Sequence, residues 1–323
     1  MNTYYKNNNI ELIHGECIES MNELIKQGVK FDAIITDPPY GNMKGAELDG
    51  WGDAKTNWDI AIEPHMLFET CNKLLRENGN LILFSQEPYT SELISKQNNN
   101  LPFLYRMIWL KDHFANALIA KKAPVSYYED INVFCKKYDD DFSNELRKYS
   151  FKILEKLNIT SKEINKELGH RKAEHFFYWN TLQFKLPTED TYTELVNKFK
   201  IDEFSFFKDY KKLKELNKKY DKTFNLPSTN KYKSNVLNYK KDYEGLHPTQ
   251  KPLLLIEDLI KTYTNEGNTI LDFTCGSGTT LVAAQNLNRR CIGIELEEKY
   301  CEVAKIRLNT NLLHNCNIEN EVI

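Results

Sequence analysis

Short apolar runs alternate with amphipathic segments along most of the chain. Seven runs predict β-strands, because they are short, apolar and bounded by turn residues. They cover residues 9–14, 31–36, 81–84, 103–110, 131–135, 268–273 and 291–294. Helical periodicity follows several of them, at 17–27, 64–77, 88–96 and 252–263. This alternation predicts an α/β fold with a doubly wound, mostly parallel sheet.

The strand pattern disappears between residues 139 and 231, so we expect three segments, 1–138, 139–231 and 232–323, with the middle one inserted. Thr160 and Gly169 bound a short helix in the insertion, and a second helix is predicted to begin near His170. Two helices joined by a glycine turn are compatible with a helix-turn-helix. An α-hairpin without a role in DNA binding has the same local pattern.

Composition indicates a globular protein, with 41% hydrophobic and 28% charged residues in 323. The first residues lack the apolar core of a signal peptide, and no run approaches about 18 apolar residues, so we expect a cytoplasmic protein with no membrane partner. The seven cysteines are scattered without a Cys-x-x-Cys pair, which gives no support to a disulfide framework or a zinc site.

Charge is unevenly distributed along the chain. Residues 141–240 carry 21 lysines and arginines against 14 acids, a balance of +7. The remainder carries 22 against 32, a balance of −10. A basic lobe on an acidic body is typical of a nucleic-acid partner. The alternative is a lysine-rich soluble insert without a role in nucleic-acid binding. The basic helix expected at 211–222 fits either interpretation.

The strongest chemical signal is Phe31-Asp32-Ala33-Ile34-Ile35-Thr36-Asp37-Pro38-Pro39-Tyr40. A buried strand is followed by two prolines, which cannot donate to a strand ladder. The result is a rigid turn that holds one carboxylate and one aromatic ring at the carboxyl end of a strand, where open α/β sheets bind ligands.

A second signal follows the strand at 268–273, in Thr274-Cys275-Gly276-Ser277-Gly278-Thr279-Thr280. Its glycines allow the backbone to approach a ligand closely, and the helix after them offers free amides. Glu295 lies 23 residues after Asp272, a spacing suited to an acid that binds ribose hydroxyls. A nicotinamide cofactor fits poorly, because Leu281 occupies the third glycine position of G-x-G-x-x-G.

Together these motifs resemble those of the β-group amino-methyltransferases, which methylate the exocyclic amine of adenine (N6) or cytosine (N4) in DNA. The shared order is Asp37-Pro38-Pro39-Tyr40, a variable lobe, His247-Pro248-Thr249-Gln250-Lys251-Pro252, Asp272 with Gly276-Ser277-Gly278-Thr279-Thr280, and Gly293-Ile294-Glu295. The match covers about residues 9–136 and 232–308, and it looks particularly like adenine-N6 enzymes of phages and low-GC bacteria.

The resemblance implies a Rossmann-like, seven-stranded methyltransferase sheet whose inserted, mainly helical lobe recognises the target. Residues 1–138 would be the catalytic half, and 232–323 the half that binds S-adenosylmethionine. Double-stranded DNA is the implied partner. A homodimer and a cognate restriction endonuclease are left open as further partners.

The resemblance also implies roles for individual residues. Catalysis would fall to Asp37, Pro38, Pro39 and Tyr40. Cofactor binding would fall to Glu16, Asp37, Lys251, Asp272, Thr274, Cys275, Gly276, Gly278, Thr279, Thr280 and Glu295. DNA contacts would come from Lys121, Lys122, Arg171, Lys172 and His175. No metal is implied.

Two departures from the family pattern stand out. The family often has Asp-Pro-Phe where this chain has Asp272-Phe273-Thr274, and its early strand often ends in Gly-Asp where this chain has Gly15-Glu16. The second change keeps a carboxylate that would bond the adenine amine of the cofactor.

The sequence leaves three alternative functions open. Cytosine N4 is a rival target, although the family tends to use Asp in the Asp-Pro-Pro-Tyr position for adenine and Ser for cytosine. A methyltransferase for RNA or for a protein glutamine amide usually carries Asn-Pro-Pro-Tyr after the glycine loop, the reverse of the order here. The third is a DNA-binding module with a vestigial cofactor fold, against which the intact Asp37, Gly276, Gly278 and Glu295 argue.

Overall fold

The computed structural model describes residues 2–41, 59–115, 120–139, 142–227, 231–242 and 250–320. Strands β1 to β9 are Asn2–Lys6, Ile10–His14, Phe31–Thr36, Leu75–Ser85, Phe103–Ala115, Ser126–Cys135, Val236–Asn238, Thr269–Asp272 and Arg290–Glu295. Helices α1 to α10 are Cys17–Lys26, Pro64–Leu74, Tyr89–Ser95, Glu145–Leu157, Ser161–Leu168, Glu189–Phe199, Tyr210–Lys219, Leu253–Tyr263, Thr279–Asn286 and Glu298–Asn320. Two 3-10 helices span Glu174–Phe177 and Ile201–Glu203.

The strands within the described residues form one sheet in the order β1-β2-β9-β8-β3-β4-β6-β5-β7. Five neighbouring pairs are parallel, and the pairs β1/β2, β4/β6 and β5/β6 are antiparallel. The α/β, mostly parallel prediction is confirmed, but the count of seven strands is wrong because the sheet has nine. The two unpredicted strands, β1 and β7, are its edges. Edge strands need no continuous apolar run, and β7 buries only Leu237 of its three residues.

Helices cover both faces of the sheet, as expected of a doubly wound fold. On one face Ile35 and Ile82 pack in a core shared with α8, α9 and α10. On the other face Ile34, Leu81 and Leu83 pack with α1, α2 and α3. Successive strand side chains point to opposite faces, so the apolar runs of β3 and β4 contribute to both cores.

The central strands β2, β9, β8, β3 and β4 run parallel, so their carboxyl ends share one edge of the sheet. Strand β6 runs antiparallel to β4, and its register places Asp130 opposite Ser85 at the end of β4. Glu129 therefore reaches the same edge from the beginning of β6. The carboxyl end of β5 reaches it too, because Trp109 pairs with Glu129.

The chain divides into two compact units. One comprises Met1–Leu75, Gly79–Cys135 and Thr223–Ile323, and the other Arg76–Asn78 and Lys136–Lys222. Most of the predicted insertion, 139–231, falls in the second unit. Its last residues belong to the first unit, where the amide of Asn225 donates to the Thr262 carbonyl oxygen at 2.8 Å.

The second unit is mainly helical, as the resemblance implied. Its core includes Tyr149, Ile164 and Phe176, all nearly inaccessible to solvent. A buried ion pair joins Arg147 to Glu77, with Arg147 Nε donating to Glu77 Oε2 at 2.8 Å.

The predicted helix-turn-helix is only half present. Thr160 and Glu163 form a capping box at the start of α5, and Gly169 ends it in the left-handed conformation. The second α-helix, expected from His170, is wrong: the segment forms the 3-10 helix Glu174–Phe177. The carbonyl oxygens of this segment bond outside it instead of continuing an α-helix: that of His175 accepts from the Lys185 amide at 3.2 Å, and that of Phe176 accepts from the Ser150 hydroxyl.

Candidate active site

The turn after β3 is tied directly to the end of β8. Thr36 Oγ1 donates to Asp272 Oδ1 at 2.8 Å and lies 2.7 Å from Thr274 Oγ1. Thr274 Oγ1 in turn donates to the carbonyl oxygen of Asp37 at 3.1 Å. Two segments about 235 residues apart in the chain are therefore held as one structural element.

The carboxylate of Asp37 lies at the centre of a buried polar cluster. Tyr40 Oη donates to one of its oxygens, and Lys251 Nζ donates to the other. Burial raises the pKa of the Asp37 carboxyl above its usual range, the Lys251 ammonium opposes this, and the Glu129 carboxylate reinforces it.

Lys251 is shared between two carboxylates. Its ammonium lies 3.3 Å from Glu129 Oε2, and the other Glu129 oxygen accepts from Lys111 Nζ at 3.0 Å. Burial acts to raise the pKa of Glu129, but the Lys251 and Lys111 ammonium groups outweigh it and hold that pKa below its usual range. Lys251 also lies 5.1 Å from the centre of the Phe84 ring.

The aromatic ring of the turn is oriented from both ends. The hydroxyl of Tyr40 is fixed by Asp37, and its ring centre lies 6.2 Å from that of Tyr89. Tyr89 is anchored by a 2.8 Å hydrogen bond from its hydroxyl to the carbonyl oxygen of Ile62. Tyr40 is half-buried, so part of its ring remains accessible.

The glycine loop wraps around the carboxyl end of β8. Gly276 and Gly278 both have positive φ angles, +52° and +79°. The amide of Gly276 donates to Glu295 Oε2 at 2.9 Å, which joins the loop to the end of β9. A Cβ atom at Gly278 would lie 2.7 Å from the Cβ of Ala304, so only glycine fits there without rearrangement.

Carboxylates ring this loop. Burial raises the pKa of Asp272 to about 6, and burial also raises that of Glu295. Glu295 Oε1 accepts from the Glu297 amide at 2.8 Å, so each of its oxygens carries one loop hydrogen bond. A carboxylate oxygen has two acceptor sites, which leaves Glu295 capacity for a ligand hydroxyl.

Glu16 stands beside Glu295 and also caps a helix. The amide of Gly15 donates to the Glu295 carbonyl oxygen at 2.9 Å, and Glu16 Oε2 accepts from the Glu19 amide at 2.7 Å at the start of α1. Burial opposes ionisation of Glu16, but the hydrogen bonds from the Glu19 amide and the Cys17 thiol lower its pKa.

The remaining predicted cofactor residues lie in the loop itself. Cys275 is buried, and its amide donates to the Ile294 carbonyl oxygen at 2.9 Å. Thr279 and Thr280 open α9 and are also buried. Of the predicted His247–Pro252 segment, residues 247–249 lie outside the described residues.

Residues predicted to contact DNA are exposed in both units. Lys121 and Lys122 lie in the connection between β5 and β6. Lys172 is exposed, Arg171 pairs with Glu174 at 2.7 Å, and His175 Nδ1 lies 3.0 Å from the Gln183 carbonyl oxygen.

Two groups of the site were not predicted. Glu129 and Lys111 carried a signal, because Lys111 directly follows the predicted strand 103–110 and Glu129 lies two residues before the predicted strand 131–135. Arg307 carried none: it sits on α10 and donates to the Ser277 carbonyl oxygen at 2.8 Å and to Thr279 Oγ1 at 3.0 Å. Only the fold brings it to the glycine loop.

The site thus combines a proline-fixed carboxylate and tyrosine with a glycine loop flanked by acids, at the carboxyl ends of parallel strands, where open α/β sheets bind ligands. A model of the DNA methylase family matches residues 31–306. The chain therefore belongs to the family of DNA methyltransferases that modify the N6 amine of adenine or the N4 amine of cytosine.

Two Type II methyltransferases are similar to this chain in sequence. The chain is 24% identical over 300 residues to the Type II methyltransferase M.HpaI of Haemophilus parainfluenzae, covering 93% of this chain and 74% of that protein. It is 52% identical to M2.DpnII of Streptococcus pneumoniae over 66 residues, which are 20% of this chain and 25% of that one.

The fold is shared with two solved methyltransferases. The M1.HpyAVI–SAM complex has a TM-score of 0.53 at 23% identity, covering 93% of this chain and all of that one. The cytosine-N4-specific PvuII DNA methyltransferase has a TM-score of 0.51 at 13% identity, covering 95% and 88%. Within the described residues, no helix has the length and apolarity needed to cross a bilayer.

Proposed function

We propose that this chain is a site-specific DNA methyltransferase that transfers a methyl group from S-adenosylmethionine to the N6 amine of adenine. The observation that carries the proposal is the Asp37 carboxylate, held at the end of β3 by two prolines and by the hydrogen bond from Thr274 to its backbone. A carboxylate in this position can accept a hydrogen bond from an exocyclic amine.

The residues around the glycine loop fit the proposed cofactor. S-adenosylmethionine supplies an electrophilic methyl group when bound. Its ribose hydroxyls and adenine amine are donors, and Glu295 and Glu16 are acceptors at the ends of neighbouring strands. Asp272, Thr274, Cys275, Gly276, Gly278, Thr279 and Thr280 would form the cradle, in which glycines leave room for close approach.

Catalysis would rest on positioning. The target base must leave the duplex for its amine to be reached. Tyr40 would stack on the extruded base, a contact worth roughly 1–3 kcal/mol. Asp37 and the carbonyl oxygen of Pro38 would accept hydrogen bonds from the two amine protons, which directs the nitrogen lone pair away from the ring. Pro39 keeps the turn rigid, so little entropy is lost in reaching the reactive geometry.

Lys251 would bind the cofactor while it remains next to two carboxylates. Its predicted role is to bind the carboxylate of the cofactor, and its ammonium is paired with Asp37 and Glu129. A carboxylate ligand would join these two as a further anionic partner. We keep cofactor binding as the proposed role of Lys251.

DNA would be held by basic side chains outside this cluster. Lys121 and Lys122 would contact phosphates near the catalytic edge, and Arg171, Lys172 and His175 would belong to the lobe that recognises the target sequence. The exposure of all five side chains supports this proposal.

Adenine is preferred over cytosine N4 because the turn begins with Asp rather than Ser. The test is to incubate the protein with DNA and methyl-labelled S-adenosylmethionine, digest the DNA and identify the labelled nucleoside by mass spectrometry. N6-methyladenine is expected, and labelled N4-methylcytosine would overturn the choice of base.

The mechanism has its own test in Asp37→Ala. We expect this variant to bind S-adenosylmethionine but to lose at least about 3 kcal/mol of transition-state stabilisation, a rate loss of more than 100-fold, by analogy with removal of one key polar group. Turnover close to that of the unmodified protein would refute the role of Asp37.

A further inference from the structure

We propose that Glu129 is a positioning residue for methyl transfer, which takes over the Lys251 ammonium while Asp37 accepts a hydrogen bond from the target amine. This inference rests on the proposed function. Glu129 belongs to none of the motifs that resemble the family.

The geometry places one cation between two anions. Lys251 Nζ bonds Asp37 on one side and lies 3.3 Å from Glu129 Oε2 on the other. Lys111 holds the second oxygen of Glu129 at 3.0 Å. The side chains of Lys111, Lys251 and Glu129 are 2%, 8% and 12% exposed, so solvent cannot substitute for these contacts.

The cluster balances its charge internally. Two carboxylates, Asp37 and Glu129, face two ammonium groups, Lys111 and Lys251. A buried charge whose partner is removed is strongly unfavourable, so the pairing constrains where each group can go. With both carboxylates present, the Lys251 ammonium stays paired when it shifts towards Glu129, and Asp37 keeps hydrogen bonds from Tyr40 and from the incoming amine.

This exchange matters because Asp37 has two oxygens and both are engaged, one by Tyr40 and one by Lys251. Each oxygen keeps a second acceptor site for the target amine, but the Lys251 ammonium binds the same carboxylate more strongly than a neutral amine does. Glu129 offers Lys251 an alternative anion at the moment when the amine binds Asp37. Without Glu129, Lys251 would stay on Asp37 and compete with the amine.

The same contact makes Asp37 sensitive to Glu129 electrostatically. The Glu129 carboxylate acts to raise the pKa of Asp37, whereas Lys251 acts to lower it. Within the described residues, other titratable groups interact electrostatically with this pair, namely Tyr40, Asp59, Lys111, Asp130, Lys241 and Asp272. Replacing Glu129 with a neutral isostere should therefore move the titration of Asp37 to lower pH.

The experiment compares Glu129→Gln with Asp130→Asn. Asp130 is a matched control, because it is the next residue of β6, is buried, and bonds Thr90 at 2.8 Å and Arg106 at 3.5 Å instead of Lys251. We expect Glu129→Gln to lower kcat at least tenfold, to change the Kd for S-adenosylmethionine less than threefold, and to shift the acid limb of the kcat–pH profile to lower pH. Asp130→Asn should leave that limb in place.

Restoring the charge should restore part of the rate. Glu129→Asp keeps the carboxylate on a shorter side chain, so its kcat should lie between those of the unmodified protein and the Gln variant. If the Gln variant does not fold, Glu129→Asp is compared with the unmodified protein instead, and a smaller decrease in kcat is expected. An unchanged kcat and acid limb would overturn the inference. Loss of S-adenosylmethionine affinity in step with kcat would also overturn it, because Glu129 would then serve cofactor binding.

A second measurement separates this inference from the proposed function. Absence of methyl transfer to DNA by the unmodified protein would refute the proposed function. Carbon NMR of labelled aspartate, with Asp37 assigned by Asp37→Asn, then tests the coupling directly. A lower titration midpoint in Glu129→Gln supports the inference, and an identical midpoint overturns it.

Discussion

Gly278 offers a quantitative test of the glycine loop, because Gly267 provides a matched control. Both have positive φ, +79° and +76°. An added Cβ at Gly278 would lie 2.7 Å from Ala304 Cβ and 3.2 Å from Ala304 Cα, whereas the described residues place no such neighbour within 4 Å of the equivalent atom at Gly267. The two positions share backbone strain and differ in steric contact.

The magnitudes follow from these two terms. Placing alanine in the left-handed region costs about 1–2 kcal/mol at either position. Overpacking against the backbone of α10 adds about 1–3 kcal/mol at Gly278 alone. The loss of unfolded-state entropy that accompanies any Gly→Ala change is common to both and cancels in the comparison. Gly278→Ala should therefore be about 1–3 kcal/mol less stable than Gly267→Ala.

Urea unfolding followed by circular dichroism measures this difference, and titration with S-adenosylmethionine measures its functional counterpart. Gly278→Ala should also bind the cofactor more weakly, since the strain lies in the cradle, while Gly267→Ala should bind normally. Equal stability losses in the two variants, within about 0.5 kcal/mol, would show that α10 yields freely and that the loop does not require glycine at 278.

Three further predictions concern the acids and bases of the site. Burial raises the pKa of Asp272 in the folded protein to about 6 from 3.8, so its contribution to stability is fully present below about pH 4 and is lost as pH rises through 6. At about 1.4 kcal/mol per pKa unit, the loss is about 3 kcal/mol. The free energy of unfolding of Asp272→Asn, measured from pH 4 to pH 7, should not show this loss. The double variant Lys121→Ala/Lys122→Ala should weaken DNA binding and reduce the slope of log K against log salt by about 2, and an unchanged slope would exclude phosphate contacts there. Arg307→Met should lower the free energy of unfolding in urea by about 1–3 kcal/mol, because the Ser277 carbonyl oxygen loses this donor. A decrease below about 0.5 kcal/mol would show that the Arg307 hydrogen bonds do not stabilise the glycine loop.

Local sequence was sufficient for the centre of the fold. The central strands carry apolar runs because both of their faces are buried, and the motifs lie at their ends, where turn residues are easily recognised. The strands β1 and β7 escaped prediction because an edge strand is held by backbone pairing with its neighbour, as in the pairing of Ile108 with Val236. Backbone pairing does not require an apolar run, so such a strand cannot be recognised from its side-chain pattern.

The prediction of a second α-helix after Gly169 was wrong for a different reason. Its residues satisfy helical start signals, yet the carbonyl oxygens of His175 and Phe176 accept hydrogen bonds from the Lys185 amide and the Ser150 hydroxyl, so the α-helical pattern does not continue. Tertiary packing overrode local propensity, which is a weak prior over a four-residue segment. The contacts of Arg307 and Glu129 were likewise decided by packing, because their partners are distant in sequence.

The connection between β3 and β8 explains how motifs so far apart in the chain can act on one reaction. Thr36, Asp272 and Thr274 share hydrogen bonds of 2.7–2.8 Å, and Thr274 also holds the backbone of Asp37. The register pairs Ile34 with Leu271, so these polar groups continue the ladder just beyond the last paired residues. Under the proposed mechanism, the acceptor for the target amine and the cradle for the methyl donor are parts of one hydrogen-bonded element, and the spacing between adjacent strands sets their separation. Because that spacing is fixed at about 4.8 Å, small groups bound on either side would be brought within reach of each other without any movement of the sheet.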